Sequence, residues 1–516
     1  MFSGDITGSY LVGGKDPREL GIFGLSKIVG TVMQDTDGQF IGLTVAEDVA
    51  FALENDCTPE GPMKEKVAET AKSVFIEELL DSSPKELSGG QKQRVSMAGV
   101  MVDDVNIFLF DEPLANLDPK TGKSAIALID DIQKQQNATI VIIEHRLEDA
   151  LYRDVDRIIL VNDGEIVADM TPDEMLSSAL LDEAGIRYPL YISALRHAGC
   201  VIDPATHPAS ITGMDLAPYR DDFLSWIEKV TLPAPSPEAE TVLSVRNVGF
   251  SYDGVKQVLS DITFTVHKGE MMSIVGKNGA GKSTLAGLIC GFIDPVCGSI
   301  FLNGKDISPL SIKERGEHIG YVMQNPNQMI SKPMIFEEVA LGLAVRDVPA
   351  DEIDRRVKET LKICGLYEMR NWPVSALSFG QKKRVTIASI LVMDPEVIIL
   401  DEPTAGQDYR HYTEIMEFLK RINEEKGISI IMITHDMHLM LEYTHRAVVI
   451  ADGHLITDDT PAKVLTNDEI ADKAFLKRTS LYDLAEKMGI EDAPGLCDRF
   501  IYYERKIKDG RQSSFV

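Results

Sequence analysis

Short apolar runs alternate along the chain with longer polar stretches of helical character. Ala138 to His145 reads ATIVIIEH and Ile428 to His435 reads ISIIMITH; MMSIV (Met271 to Val275) and VIIL (Val397 to Leu400) have the same character. Runs this short and β-branched predict strands buried on both faces, and their alternation with helices predicts an α/β fold with a parallel sheet. The longest apolar runs, such as Ile428 to Ile433, are strand-length, well below the ~18 residues of a spanning helix.

The pattern repeats. VMQDTDGQF around Gln34 returns as VMQNPNQMI around Gln324, and LSGGQKQRV from Leu87 as LSFGQKKRV from Leu377. IFLFDEP ending at Pro113 returns as VIILDEP ending at Pro403, and IIEHRLE around His145 as MITHDMH around His435. All four pairs are separated by the same 290 positions, which implies two copies of one domain. The expected organisation is a first domain over 1–177, a helical appendage and Pro-rich linker over 178–240, a second domain over 241–470 and a C-terminal appendage over 471–516. The 178–240 segment carries seven prolines, nine acidic and four basic residues, and ends in LPAPSPEAE. LLDEAGIRYPLYISALRHAG within it reads as a small helical appendage, and LYDLAEKMGI at 481–490 as part of a second one.

The copies differ at their starts. The second carries about 56 residues, 242–297, ahead of GSIFLNGKD, whereas the first opens inside the matching stretch, at GDITGSYLVGGKD. Nothing in the first copy matches Lys282, and Gly13, Gly14 and Lys15 supply no substitute, since no Ser or Thr follows Lys15. A missing interior strand would leave unpaired backbone and open apolar faces, so the reading is a first copy truncated at its N-terminus.

Length and composition narrow the function. With 516 residues, 44% hydrophobic and 26% charged, the chain is that of a multi-domain globular protein. Its 52 Lys and Arg against 81 Asp and Glu give a net charge of -29, which repels a phosphate backbone, so no nucleic-acid partner is expected. The six cysteines form no Cys-x-x-Cys pair and read as reduced thiols of a cytosolic protein. Met1 to Asp5 leads into Gly-rich, mixed-charge sequence, so no secretory leader is expected.

Gly276 to Thr284 reads GKNGAGKST, directly after MMSIV and before an apolar helix. Backbone N–H groups of Gly276, Asn278, Gly279, Ala280 and Gly281, with the helix N-terminus, suit a nucleotide phosphate. Lys282 reaches the β- and γ-phosphates and Ser283 ligates Mg²⁺ in such a loop, with Thr284 beside it. Asp401 and Glu402 end an apolar strand where an acid that organises Mg²⁺ and a base that orients water belong. His435 ends the next strand, in reach of a γ-phosphate. Ser88, Gly89, Gly90 and Gln91 open a helix and form an anion site that the first copy's own sequence does not use.

Taken together, Tyr252, GKNGAGKST, Gln324, LSGGQ, the strand-Asp-Glu element, the Asp118 and Asp408 loops and His435 resemble the ATPase domains of ABC transporters. MQNPNQ from Met323 and MQDTDGQFIGLTVAEDVAF from Met33 resemble the paired ATPases of energy-coupling factor importers, which take up vitamins, their precursors or metal ions. The resemblance covers most of 1–175 and 242–470. It implies a P-loop NTPase fold with helical signature subdomains in two domains, ATP and Mg²⁺ as cofactors, and ATP hydrolysis coupled to transport. It also implies adenine stacking on Tyr252, and Gln324 sensing Mg²⁺ and water. Partners would be a transmembrane coupling protein and a substrate-binding membrane protein, with the chain peripheral on the inner face of the cell membrane.

In this family each nucleotide lies between one copy's P-loop and the other's signature, so the two copies pair within the chain. The site built on Lys282 is expected to use Ser88, Gly90 and Gln91. The second site, with Gln34, Asp111, Glu112 and His145 from the first copy and Ser378, Gly380 and Gln381 from the second, is expected to be degenerate, because the first copy lacks its P-loop and Phe379 replaces the first signature glycine. The alternatives are a soluble tandem ATPase acting on ribosomes or nucleic acid, for which the acidic, Pro-broken linker is unsuited, and an inactive fragment.

Overall fold

The computed structural model describes residues 6–34, 38–103, 105–115, 117–233, 239–404, 407 and 409–512, without the side chains of 509–512. Asp408 and the APSPE stretch of the linker lie outside the described residues. The chain forms two compact units, Met1–Val155 and Asp156–Val516.

In the first unit, β1 (Val29–Val32), β2 (Ile107–Asp111) and β3 (Thr139–Ile143) form a parallel sheet in that order. Helices Val45–Asn55, Gly89–Met101 and Pro119–Gln136 cover it, burying Val49, Met97, Phe108, Phe110, Ile129 and their neighbours in one core. Within this unit no strand among the described residues pairs with the outer edge of β3, where Val141 and Ile143 are 44% and 58% exposed.

The second unit begins with a ladder of β4 (Ile158–Asn162) and β5 (Glu165–Met170), paired antiparallel. The alternation rule predicted a parallel sheet, but the second copy has two sheets. An antiparallel one is built from β6 (Thr241–Ser251), β7 (Gln257–His267), β9 (Cys297–Leu302) and β10 (Lys305–Asp306), in the order β10-β9-β6-β7. The other holds β8 (Met271–Val275), β11 (Ile319–Val322), β12 (Val397–Asp401), β13 (Ser429–Ile433), β14 (Arg446–Ala451) and β15 (His454–Asp459) in the order β11-β12-β13-β8-β14-β15. It is parallel apart from the β14–β15 hairpin. Strand β8, which leads into GKNGAGKST, lies between β13 and β14 and is buried at every residue. The first copy's counterparts of β13 and β14, namely β3 and β4, fall in two separate ladders. An interior strand thus makes the difference between one six-stranded sheet and two pieces.

The two appendages pack together. Lys487 donates to the carbonyls of Ile211, Thr212 and Met214 at 2.8, 2.7 and 3.2 Å. His197 lies 3.2 Å from Glu504, and Trp226 packs edge-on to Tyr503 at 5.3 Å. Helix Leu190–His197, helix Arg220–Lys229 and the C-terminal helix Ala493–Gln512 therefore share one packed body. Within LLDEAGIRYPLYISALRHAG the helices are Leu180–Glu183 and Leu190–His197, with Gly185 at φ 68° and Pro189 between them.

Candidate functional site

Strand β8 delivers the chain into a tight glycine loop. Gly276 has φ 149°, and a Cβ there would sit 1.9 Å from the Ile450 carbonyl oxygen, so only glycine fits. Gly279 and Gly281 are left-handed at φ 78° and 100°, and Gly281 caps the helix Lys282–Cys290. Ala280 packs into the core, and Asn278 lies in the turn between them. Lys282 is buried and donates to the carbonyls of Gly276 and Lys277 at 2.7 and 3.0 Å. Its ammonium is thereby held at the mouth of the loop. Thr284 Oγ1 lies 3.1 Å from the hydroxyl of Tyr252, whose ring is 69% exposed and packs edge-on to Phe250.

The end of β12 converges on the same loop. Ser283 Oγ donates to Asp401 Oδ2 at 3.1 Å, and Tyr321, on the neighbouring β11, donates to the same oxygen at 2.8 Å. Burial raises the Asp401 carboxyl above its ordinary range, the hydrogen bonds from Tyr321 and Ser283 oppose this, and the charge of Glu402 adds to it. A hydroxyl and a partly desolvated carboxylate oxygen side by side form a donor set that suits Mg²⁺, which needs few protein ligands beside phosphate. Gln324 follows β11, with an exposed side chain.

Glu402 has φ 46°, an uncommon conformation for a side chain of its size. Its N–H donates to the Ile433 carbonyl at 2.9 Å, Oε1 lies 2.7 Å from His435 Nδ1, and Oε2 accepts from Thr434 at 3.4 Å. Its carbonyl accepts from Lys383 at 3.0 Å. Thus Lys282, Ser283, Asp401, Glu402 and His435 meet at the C-terminal ends of β8, β12 and β13, where open α/β sheets bind ligands.

The first unit repeats half of this. Glu112 follows Asp111 at φ 45°, accepts from Gln34 Nε2 at 2.5 Å and lies 3.6 Å from His145. Burial works against protonation of His145, but Glu112 and Glu144 outweigh it and hold its pKa above the ordinary value. No phosphate loop accompanies them among the described residues of that unit.

Both signature serines close capping boxes. The Gln91 N–H donates to Ser88 Oγ at 3.4 Å and the Gln381 N–H to Ser378 Oγ at 3.3 Å, and each glutamine side chain returns to the serine N–H. Gly89 and Gly90 begin the first of these helices, and Gly90 lies so close to Thr121 that a Cβ would come within 2.5 Å of its methyl. In the second, Phe379 is 42% exposed and Gly380 lies near Gln407 and His411. Asp118 caps the helix Pro119–Gln136.

Motif reading missed Tyr321, Thr434 and Lys383. Lys383 alone carried a signal, because the first copy has Gln93 at that place in an otherwise matching motif. Burial pushes its ammonium down to about 8, against the pull of Glu402 and Asp401.

A family model described as ABC transporter matches residues 2–115 and 259–405, and one described as ATP-binding cassette cobalt transporter matches 178–250. An ABC transporter ATP-binding protein of Clostridium perfringens is 57% identical over 505 residues, 98% of this chain and 89% of that protein. One of Enterococcus faecalis is 54% identical over 511 residues, covering 99% and 90%. The structure of cbiO1 from Clostridium perfringens aligns over 48% of this chain and 99% of that chain at 36% identity, with a TM-score of 0.43. One family model that matches parts of both copies, and the Clostridium perfringens and Enterococcus faecalis ATP-binding proteins that match this chain nearly end to end, make it a member of the ABC transporter ATP-binding proteins, with their P-loop NTPase fold and ATP-hydrolysing activity.

Proposed function

We propose that the chain powers an importer of the energy-coupling factor type, with a metal ion, vitamin or vitamin precursor as cargo. The convergence of Lys282, Ser283, Asp401, Glu402 and His435 carries the hydrolytic part of this reading. The match of 178–250 to a cobalt-transporter model supports the importer part and favours it over action on ribosomes or nucleic acid.

In this reading Tyr252 stacks on adenine, and the loop N–H groups from Gly276 to Ser283 cradle the phosphates. On ATP binding Lys282 exchanges its loop carbonyls for phosphate oxygens, a charge-assisted contact in place of two neutral ones. Ser283, Asp401 and Gln324 would hold Mg²⁺, which when bound offsets the charge on the phosphates. Glu402 orients and deprotonates the attacking water, and His435 fixes the Glu402 carboxylate and reaches the γ-phosphate. Ser88, Gly89, Gly90 and Gln91, and the opposite set of Ser378, Gly380 and Gln381, are proposed to contact nucleotide when the copies pair. The chain would work at the inner membrane face, on a transmembrane coupling protein and a substrate-binding membrane protein.

Two measurements test this. Isothermal titration of Lys282→Ala should show most ATP affinity lost; unchanged affinity would remove Lys282 from the site. Tagged full-length chain, purified from its own membranes in mild detergent, should bring down a multi-span membrane protein. Recovery with ribosomes or nucleic acid instead would overturn the importer reading.

A further inference from the structure

Lys383 lies on the helix Phe379–Leu391 that begins at the second signature, fully buried, and its Nζ donates to the backbone carbonyls of Gln324 at 2.9 Å and Glu402 at 3.0 Å. Three segments far apart in sequence therefore meet on one ammonium. Burying a lysine is costly, and a buried ammonium that bonds two carbonyls needs a reason beyond packing.

The backbone of Glu402 supplies one. Its left-handed φ of 46° is a conformation that persists only where the surroundings over-determine it. The N–H is fixed by Ile433 and the carboxylate by His435 and Thr434, while the carbonyl is held by Lys383. The first copy lacks this bridge. Gln93 occupies the matching place and donates to the carbonyl of Pro113, one residue beyond the strand-end glutamate. Glu112 has nearly the same φ, 45°, and lies farther from its histidine, at 3.6 Å against 2.7 Å. The copy with the complete phosphate loop is the one with the lysine bridge.

We propose that Lys383 is a positioning residue for ATP hydrolysis in the second copy, tying the signature helix to the carbonyls of Gln324 and Glu402 and so fixing the residue assigned to Mg²⁺ beside the one assigned to the attacking water. This rests on the roles given to Gln324 and Glu402 above. A shift of the signature helix would then move the catalytic carboxylate of the same copy, linking the state of Ser378 to turnover on Lys282.

The test uses full-length protein and measures kcat, KM for ATP and ATP affinity by titration. Lys383→Met should lower kcat at least ~10-fold while KM and affinity stay within about threefold, and Lys383→Arg should recover part of the loss. Lys383→Gln carries the residue found at this place in the first copy; should the Met variant fail to fold, the Gln variant decides, with kcat lowered and KM unmoved. Unchanged kcat in these variants would overturn the proposal, as would kcat and ATP affinity falling together with melting temperature, the mark of a merely structural lysine. Glu402→Gln is measured alongside. If that variant turns over at the parent rate, the assigned role of Glu402 has failed; if it is dead while the Lys383 variants match the parent, only the positioning role has failed.

Discussion

Glu402 Oε1 lies 2.7 Å from His435 Nδ1, whereas the same pair in the first copy, Glu112 and His145, stands 3.6 Å apart, with Glu112 held instead by Gln34 at 2.5 Å. One sequence motif is thus set up in two ways. Beside the phosphate loop, the carboxylate is oriented by the histidine and Thr434; in the first unit it is engaged by the glutamine side chain.

The first prediction follows. Glu402→Gln keeps the shape of the site but removes the base, so turnover should fall by roughly 100-fold or more while ATP stays bound. Glu112→Gln removes a carboxylate to which no phosphate loop among the described residues of its unit presents a nucleotide, and its effect should be severalfold smaller. Single-turnover assays on both variants check this. Equal losses would mean that Glu112 also faces a hydrolysed nucleotide.

His145 gives a pH dependence. Its folded pKa lies above the ordinary 6.5, because Glu112 and Glu144 favour the cation more than burial opposes it. The stabilisation is therefore fully present below the unfolded value and is lost as pH rises through the folded one. The first unit should thus unfold at lower urea at about pH 8 than at about pH 6. In Glu112→Gln, which removes a main source of the shift, the difference should shrink; an unchanged pH profile in that variant would refute the assignment.

The site was legible in the sequence because its chemistry is local. A strand, a glycine loop and a helix follow each other in GKNGAGKST, and a strand with two carboxylates is self-contained in VIILDEP. The repeat made each motif in one copy a check on the other. What stayed hidden depends on pairing across the sheet. Tyr321 reaches Asp401 because β11 pairs with β12 in the register Tyr321–Ile399, which no local pattern specifies. The union of the appendages was equally invisible, since Lys487 meets carbonyls about 275 residues away and His197 meets Glu504 over a still longer separation. The antiparallel sheet likewise rests on pairing, of β6 with β7 and with the more distant β9, which the alternation of apolar runs does not specify.

The last prediction concerns Glu442, on the helix Met437–Tyr443 that Asp436 caps directly after His435. Its side chain is 5% exposed and forms ion pairs with Arg187 at 2.9 Å and Lys508 at 3.4 Å, while its carbonyl accepts from Arg505 at 2.8 Å. Arg187 comes from the segment after the first copy and lies over the rings of Tyr409 and Tyr412, at 4.5 and 5.1 Å. Burial disfavours the cations of Arg187 and Lys508, but Glu442, with Tyr412, Tyr409 and Asp436 around Arg187 and Tyr409 and Glu504 around Lys508, together outweighs it and holds both pKa values above the ordinary ones. Glu442→Gln would take the carboxylate from Arg187 and leave Lys508 with Glu504 alone, at 3.6 Å, which should cost about 3 kcal/mol. Lys508→Met added to it removes one of the two cations left beside the neutral side chain and should recover part of that loss. Because Lys508 lies on Ala493–Gln512, the loss should appear first as that helix coming away and opening to protease. ATP affinity should stay within about twofold of the parent, since Glu442 touches none of the residues assigned to nucleotide. Urea unfolding and timed proteolysis of the single and double variants decide it: a parent-like midpoint for Glu442→Gln would show that water already compensates Arg187 and Lys508.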